Sequence, residues 1–325
     1  MLSTDSQIFN EASQVRARIL EYGKLFEELC VVVYTRPGKK EEKIGNISLI
    51  PTNNRFRIGY FARAVRLGQG VMRGGAGWVV SSQDPFETGW VACKLKNTLH
   101  VPFQVQVHTD FLSPFFAKES LKHRFRALLA KRLIKKADRI RVVSERIKKS
   151  LVALDLNLEK KIVVLPIFVD KDIFRREAHE DTVGNFTVLT VARRAPEKNL
   201  DLASGIISEL KNRGHEIEWL LISDKSAAPY YKNADLFLLT SNYEGYGMAA
   251  VEAAAAGIPV VMTDVGVALG ATFPVGGKEK AVAIIEELIR NSEKRKKLVE
   301  KQNAFFRNLP TKEQYLEQFK KSLTF

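Results

Sequence analysis

Residues 236–262 read LFLLTSNYEGYGMAAVEAAAAGIPVVM, and the architecture can be built outward from them. The short apolar run Leu236–Leu239 ends in a polar turn, which opens an alanine-rich segment of high helix propensity. Gly257 suits the position just past a helix C-terminus, and Pro259 introduces a second apolar run, Val260–Met262. Strand, turn, helix and strand in this order form a βαβ unit, whose strands lie parallel under a crossover helix.

The same alternation extends in both directions. Phe186–Thr190 and Trp219–Ile222 are predicted strands, and helices are predicted at about 199–212, 247–256 and 278–290. In the first half the predicted strands are Cys30–Tyr34, Trp78–Ser81, Phe103–Val107, Arg139–Val143 and Ile162–Leu165. Ile8, Val15, Ile19 and Leu25 suit a helix near the start, and Leu121, Phe125, Leu128 and Ile134 suit another. No apolar strand is predicted at the start, because only Met1-Leu2 precedes Ser3-Thr4-Asp5. Residues 166–184 are expected to link two domains, and 292–325 to be helical, with a break at Pro310. A chain of 325 residues exceeds what one core usually carries, so two doubly wound α/β domains in tandem are expected.

Composition narrows the class. A hydrophobic share of 45% with 27% charged residues excludes a disordered or collagen-like chain. No run approaches the ~20 apolar residues of a spanning helix, and the first residues carry no secretory signal pattern, so a cytoplasmic location is expected. Cys30 and Cys93 form no disulfide framework and no metal spacing. Net charge is +14, and all of the excess lies in residues 1–168, with 29 basic and 15 acidic side chains. Residues 118–149 alone hold 13 basic and 3 acidic side chains, which calls for an anionic partner.

Among the motifs, GxGxxG between strand and helix, GxxxxGK[ST], HExxH and GxSxG are all missing. Two other features stand at the carboxyl ends of predicted strands, where open α/β sheets bind ligands. The turn after Leu236–Leu239 carries Glu244, with Glu252 eight residues on in the helix, and Gly245 and Gly247 between them. Two carboxylates on one wall suit separate hydroxyls of a long ligand, and the helix start favours an anion. Taken alone, a turn glutamate and a surface helix glutamate explain this pair equally well. The loop after Phe186–Thr190 carries Arg193 and Lys198, a planar fork and a mobile point charge suited to a diphosphate, or simply two solvated charges.

Together these segments resemble glycosyltransferase family 4, retaining enzymes with the GT-B fold of two Rossmann-like domains facing a central cleft. Glu244 and Glu252 match its E-x7-E motif, and Arg193 and Lys198 its basic pair. Val107-His108-Thr109-Asp110 resembles its histidine loop, Leu165–Asp170 its linker, and Tyr231–Leu238 its approach to the glutamate loop. The resemblance implies an acceptor-side domain over 1–168, a nucleotide-sugar domain over 169–306, and a final helix, 307–325, packing back on the first domain. It implies that Arg193 and Lys198 neutralise the phosphates of a UDP- or GDP-linked donor and that Glu252 binds the ribose. Glu244, with the backbone at Tyr246, Gly247 and Met248, would hold the sugar hydroxyls, and His108 would lie against the sugar. Asp5 and Asp110 are the candidates on the acceptor side, with Asp110 either assisting there or simply capping the next turn. No metal and no further cofactor are implied.

Three features depart from the family pattern: the missing first strand, the 13 residues between Ile222 and Leu236, and the short 263–277 loop. They predict weakened donor affinity, and leave a catalytically impaired scaffold as an alternative. The implied acceptor is a glycan or a lipid-linked molecule. Polybasic segments gain ~1 kcal/mol per Lys or Arg at an anionic membrane, so residues 118–149 point to peripheral association at the inner face. Within them Leu121, Phe125, Leu128 and Leu129 share one helical face, expected to pack on the sheet beneath a solvated basic face. Nucleic acid is the rival anionic partner and is not expected, since no stacking motif or recognition helix accompanies Phe115, Phe116 and Phe125.

Overall fold

The computed structural model describes residues 1–73, 77–174, 185–223 and 227–325; much of the expected linker, at 175–184, lies outside them. The chain divides into two compact units. The first comprises residues 1–112, 121–165 and 311–325, and the second 113–120 and 166–310.

The first unit holds an eight-stranded sheet. Its strands are β1 (Leu2–Ser3), β2 (Leu29–Val33), β3 (Glu42–Ile44), β4 (Ile47–Pro51), β5 (Val80–Ser82), β6 (Phe103–Val107), β7 (Arg139–Val142) and β8 (Ile162–Val164). Their order is β3-β4-β2-β1-β5-β6-β7-β8, parallel except for the edge hairpin β3–β4. The absent opening strand is corrected: Leu2 pairs with Val32 and Ser82, at the centre of the sheet. Two residues carry no legible periodicity, but two parallel neighbours and full burial of Leu2 hold them there. The hairpin is also illegible in sequence, because Glu42-Lys43 reads as a charged loop and pairs on one side only. Its turn needs Gly45, at φ +58°.

One amphipathic assignment is reversed. The helix Leu121–Lys136 buries Ala127, Ala130, Leu133 and Ile134. Leu121, Phe125 and Leu128 are 80%, 66% and 56% exposed, so the face expected to pack is the one facing solvent. Small alanines let the helix approach its neighbours closely, which the bulkier stripe would prevent. The helix Lys312–Lys321 begins with a Thr311–Gln314 capping box and buries Tyr315 and Phe319 in the same unit. Among the described residues no helix is long and apolar enough to cross a membrane.

The second unit holds five parallel strands, β9 (Phe186–Val191), β10 (Ile217–Ile222), β11 (Leu236–Leu239), β12 (Val260–Thr263) and β13 (Ala271–Phe273). Their order is β10-β9-β11-β12-β13, so the chain reverses direction across the sheet between β9 and β11. Val188, Leu236, Leu238 and Val261 of the strands pack against Ile206 and Leu210 of the helix Leu200–Asn212 and Ile285 of the helix Lys278–Arg290. Burying such side chains stabilises by about 1.5–3 kcal/mol each, and this holds the switch point in place. Gln302 pins the helix Ser292–Arg307 to the same sheet: its Nε2 donates to the Ile258 carbonyl at 2.8 Å, and it accepts the Val260 N–H at 2.9 Å.

Candidate active site

The loops that follow β9 and β11 flank this switch point, the place where open α/β sheets hold ligands. They are stitched together. Asn242 N–H donates to the Glu197 carbonyl at 2.8 Å, and Thr240 Oγ1 lies 3.0 Å from the carbonyls of both Lys198 and Asn199. Asn199, at φ +46°, turns the chain into the helix Leu200–Asn212 and caps it. The result is local and specific: Lys198 Nζ lies 2.5 Å from Glu244 Oε1, and Ser241 Oγ donates to the same oxygen at 2.8 Å. Both side chains of this pair are largely buried, so the charges are poorly screened.

Arg193 shares the loop but pairs outward, donating to Glu197 Oε1 at 2.7 Å with its side chain 74% exposed. It is not held against Glu244 as Lys198 is. Glu252 lies on the helix Met248–Ala255, where Tyr231 Oη donates to its Oε2 at 2.9 Å. Burial raises the Glu252 pKa above the usual carboxylate range, and the Tyr231 hydrogen bond opposes that shift. The order of residues suggests no role for Tyr231; only its place in the run leading to β11 hints at one.

Between the two glutamates the backbone is tightly constrained. Gly247 opens the helix at φ +88°, a left-handed conformation that suits glycine. Val267 N–H donates to the Tyr246 carbonyl at 3.1 Å, and a Cβ at Gly266 would come within 2.5 Å of that oxygen. The Met248 and Ala249 N–H groups, first in the helix, have no intrahelical acceptor. The Tyr246 ring is buried and its hydroxyl has no hydrogen-bond partner among the described residues. Residues 113–120, which group with the second unit, buttress this loop: Tyr243 Oη donates to Glu119 Oε2 at 2.6 Å, and Phe116 meets the Tyr243 ring edge-on. This support comes from 124 residues away in sequence and has no signal there.

His108, Asp5 and Asp110 belong to the first unit. His108 follows β6, with its Nε2 at 3.1 Å from Gln106 Oε1. Burial first, then the charges of Arg141 and Arg18, bring its pKa down to about 3, so the imidazole is neutral at physiological pH. Asp5 follows β1 and caps the single turn Ser6–Phe9, accepting the Gln7 N–H at 2.9 Å. Asp110 sits two residues beyond His108, half-buried. Thus Lys198, Glu244 and the turn at 246–248 form one cluster, with Glu252 further along the same helix, while the other three lie at the carboxyl end of the first sheet.

Two α/β units, each built on a doubly wound sheet, correspond to the GT-B architecture. Solved structures share it along nearly the whole chain. Sucrose-phosphate synthase of Thermosynechococcus elongatus matches with a TM-score of 0.77 at 14% identity, covering 98% of this chain and 97% of that one. An Anabaena protein solved with UDP and glucose matches at 0.72 and 15%, covering 99% and 98%. The family described as Glycosyltransferase Family 4 matches residues 27–173, and Glycosyl transferases group 1 matches 214–304. An uncharacterized glycosyltransferase of Methanocaldococcus jannaschii is 28% identical over 317 residues, covering 86% of this chain and 84% of the relative. The chain is a glycosyltransferase of the family 4 type.

Proposed function

We propose that the protein moves a hexose-type sugar, with retention, from a UDP- or GDP-linked donor to a glycan or lipid-linked acceptor. The observation that carries this is the Lys198–Glu244 pair at the switch point. Across their 2.5 Å contact each charge neutralises the other. A bound diphosphate gives Lys198 a more highly charged partner, which frees Glu244 to accept hydrogen bonds from sugar hydroxyls. Arg193 adds a second cation to the phosphates, Glu252 takes the ribose, and the backbone at Tyr246, Gly247 and Met248 meets the sugar.

In the reaction the bond from the anomeric carbon to the diphosphate oxygen breaks, and a bond to the acceptor oxygen forms on the same face. The acceptor proton passes to a diphosphate oxygen. Lys198 and Arg193 stabilise the negative charge that builds on the leaving group. His108 is assigned the contact with the transferred sugar, and Asp5 and Asp110 the acceptor. Release of UDP or GDP from a panel of nucleotide sugars tests this reading.

The partner of the basic half follows from the reversed helix. Leu121, Phe125 and Leu128 stand exposed beside the exposed basic side chains Lys122, Arg124 and Arg132, a combination that suits an anionic lipid surface. The protein therefore associates peripherally with membranes bearing its acceptor. Co-sedimentation with anionic vesicles should exceed that with neutral ones several-fold at low salt, and Phe125→Ser with Leu128→Ser should reduce it. Equal sedimentation with both vesicle types contradicts the proposal.

A further inference from the structure

Gln104, Gln106 and His108 alternate along β6 and its carboxyl end, so all three side chains project on one face of the sheet. Glutamines are unusual in a fully buried strand, and each needs its amide satisfied on both ends. Neighbouring strands supply the partners. Ser81 of β5 pairs with Gln104, and Arg141 of β7 pairs with Gln106.

The hydrogen bonds run in one direction. Gln104 Nε2 donates to the Ser322 carbonyl at 2.7 Å; a carbonyl only accepts, so the amide nitrogen of Gln104 is fixed at that end. Its Oε1 therefore faces Ser81 Oγ, which donates to it at 2.9 Å. With its proton committed, Ser81 Oγ accepts from Gln106 Nε2 at 3.0 Å. The Gln106 Oε1 must then face the other way, where Arg141 Nη1 donates to it at 2.8 Å. A guanidinium only donates, so the second end fixes the same orientation independently. Arg141 cannot move aside: it is 2% exposed, donates also to Tyr315 Oη at 3.0 Å, and lies 5.2 Å from the Phe319 ring centroid.

His108 Nε2 lies 3.1 Å from this same Gln106 Oε1, which has no proton to give. We infer that the chain from Ser322 to Arg141 locks His108 as its Nε2–H tautomer, leaving Nδ1 as a permanent acceptor for a hydroxyl of the bound sugar, with Gln106 and Arg141 as positioning residues. The assignment of the ligand rests on the reading of His108 as a sugar contact; the tautomer itself rests on the hydrogen bonds alone. The final segment of the chain thereby acts on a residue more than two hundred positions upstream, through Ser322 and Tyr315.

Long-range proton–nitrogen correlation spectra of the full chain labelled with 15N-histidine read the tautomer directly, with His108 assigned by its loss in His108→Gln. The expected pattern is a protonated Nε2 and an Nδ1 at the far-downfield shift of an unprotonated ring nitrogen. Gln106→Glu keeps an acceptor toward both Arg141 and His108 and should retain that pattern. Gln106→Leu removes it and should bring the two nitrogen shifts together as tautomers mix. An Nδ1–H pattern in the wild type, or an unchanged pattern in Gln106→Leu, overturns the inference; if Gln106→Leu does not fold, the wild-type and Gln106→Glu spectra decide it. Nucleotide-sugar binding by His108→Gln at wild-type affinity, with the tautomer as stated, would remove the sugar-contact reading and leave the lock standing.

Discussion

Lys198→Ala lowers kcat/KM for the nucleotide-sugar donor by about 10²–10³-fold, the usual cost of losing one preorganised group that stabilises charge in the transition state. Lys198 is singled out over Arg193 because its ammonium is already held 2.5 Å from Glu244, whereas Arg193 pairs with Glu197 in solvent. The loop keeps its shape in the variant, since Thr240 and Asn242 bind main-chain carbonyls of that loop, not the lysine side chain. Lys198→Arg restores the charge but not the geometry, because a guanidinium is a wider fork than an ammonium. It should recover only part of the loss. Steady-state kinetics with circular dichroism as a folding check decide the matter, and a Lys198→Ala variant within twofold of wild type would contradict the role.

Phe319→Ala is the largest expected loss of stability, about 3–5 kcal/mol. Its ring is fully buried, stacks on Tyr22 with centroids 4.0 Å apart, and covers the Arg141 guanidinium. Removing it opens a cavity beside a buried cation that has no carboxylate partner among the described residues, and the surrounding sheet cannot collapse to fill it. Urea unfolding monitored by tryptophan fluorescence measures the change. A loss below about 1 kcal/mol, typical of an ordinary surface substitution, would show that the final helix is peripheral to the first unit's core.

In the second unit four of the five strands are legible in sequence, and β13, three residues at the sheet edge, is not. Two of the predicted strands lead directly into loops that carry proposed site residues, so locating Leu236–Leu239 and Phe186–Thr190 also locates Glu244 and Lys198. What sequence does not supply is the pairing across loops: nothing in the order of residues says that Lys198 meets Glu244 and Arg193 meets Glu197. Tyr231 and Glu119 escape for the same reason, because each supports the site from a distant segment.

In the first unit the difficulties are of another kind. Leu2–Ser3 is too short to show a period, and the sheet's centre holds it through neighbours rather than propensity. The helix Leu121–Lys136 misleads because Leu121, Phe125 and Leu128 face solvent, while Ala127, Ala130, Leu133 and Ile134 face the core. The glutamines of β6 do carry a readable signal: polar residues alternating through an otherwise apolar strand are the mark of a buried network.

The crossover between β10 and β11 is only 13 residues long. There the described chain forms only the short helix Ala228–Tyr231, with 224–226 outside the described residues. Tyr231, the last residue of that helix, is nevertheless the donor to Glu252, so the short connection still supports the proposed ribose site.

Incubation of the wild-type chain with UDP- and GDP-linked hexoses, followed as release of the nucleoside diphosphate in the presence of glycan and lipid-linked acceptors, probes the proposed reaction itself. At least one donor should be consumed, with the new glycosidic bond in the donor's anomeric configuration and with the activity lost in Lys198→Ala and Glu244→Ala. Product of inverted configuration, or turnover unaffected by either substitution, would contradict the mechanism. No turnover and no binding across the panel would instead mark the chain as a GT-B scaffold that has lost its chemistry.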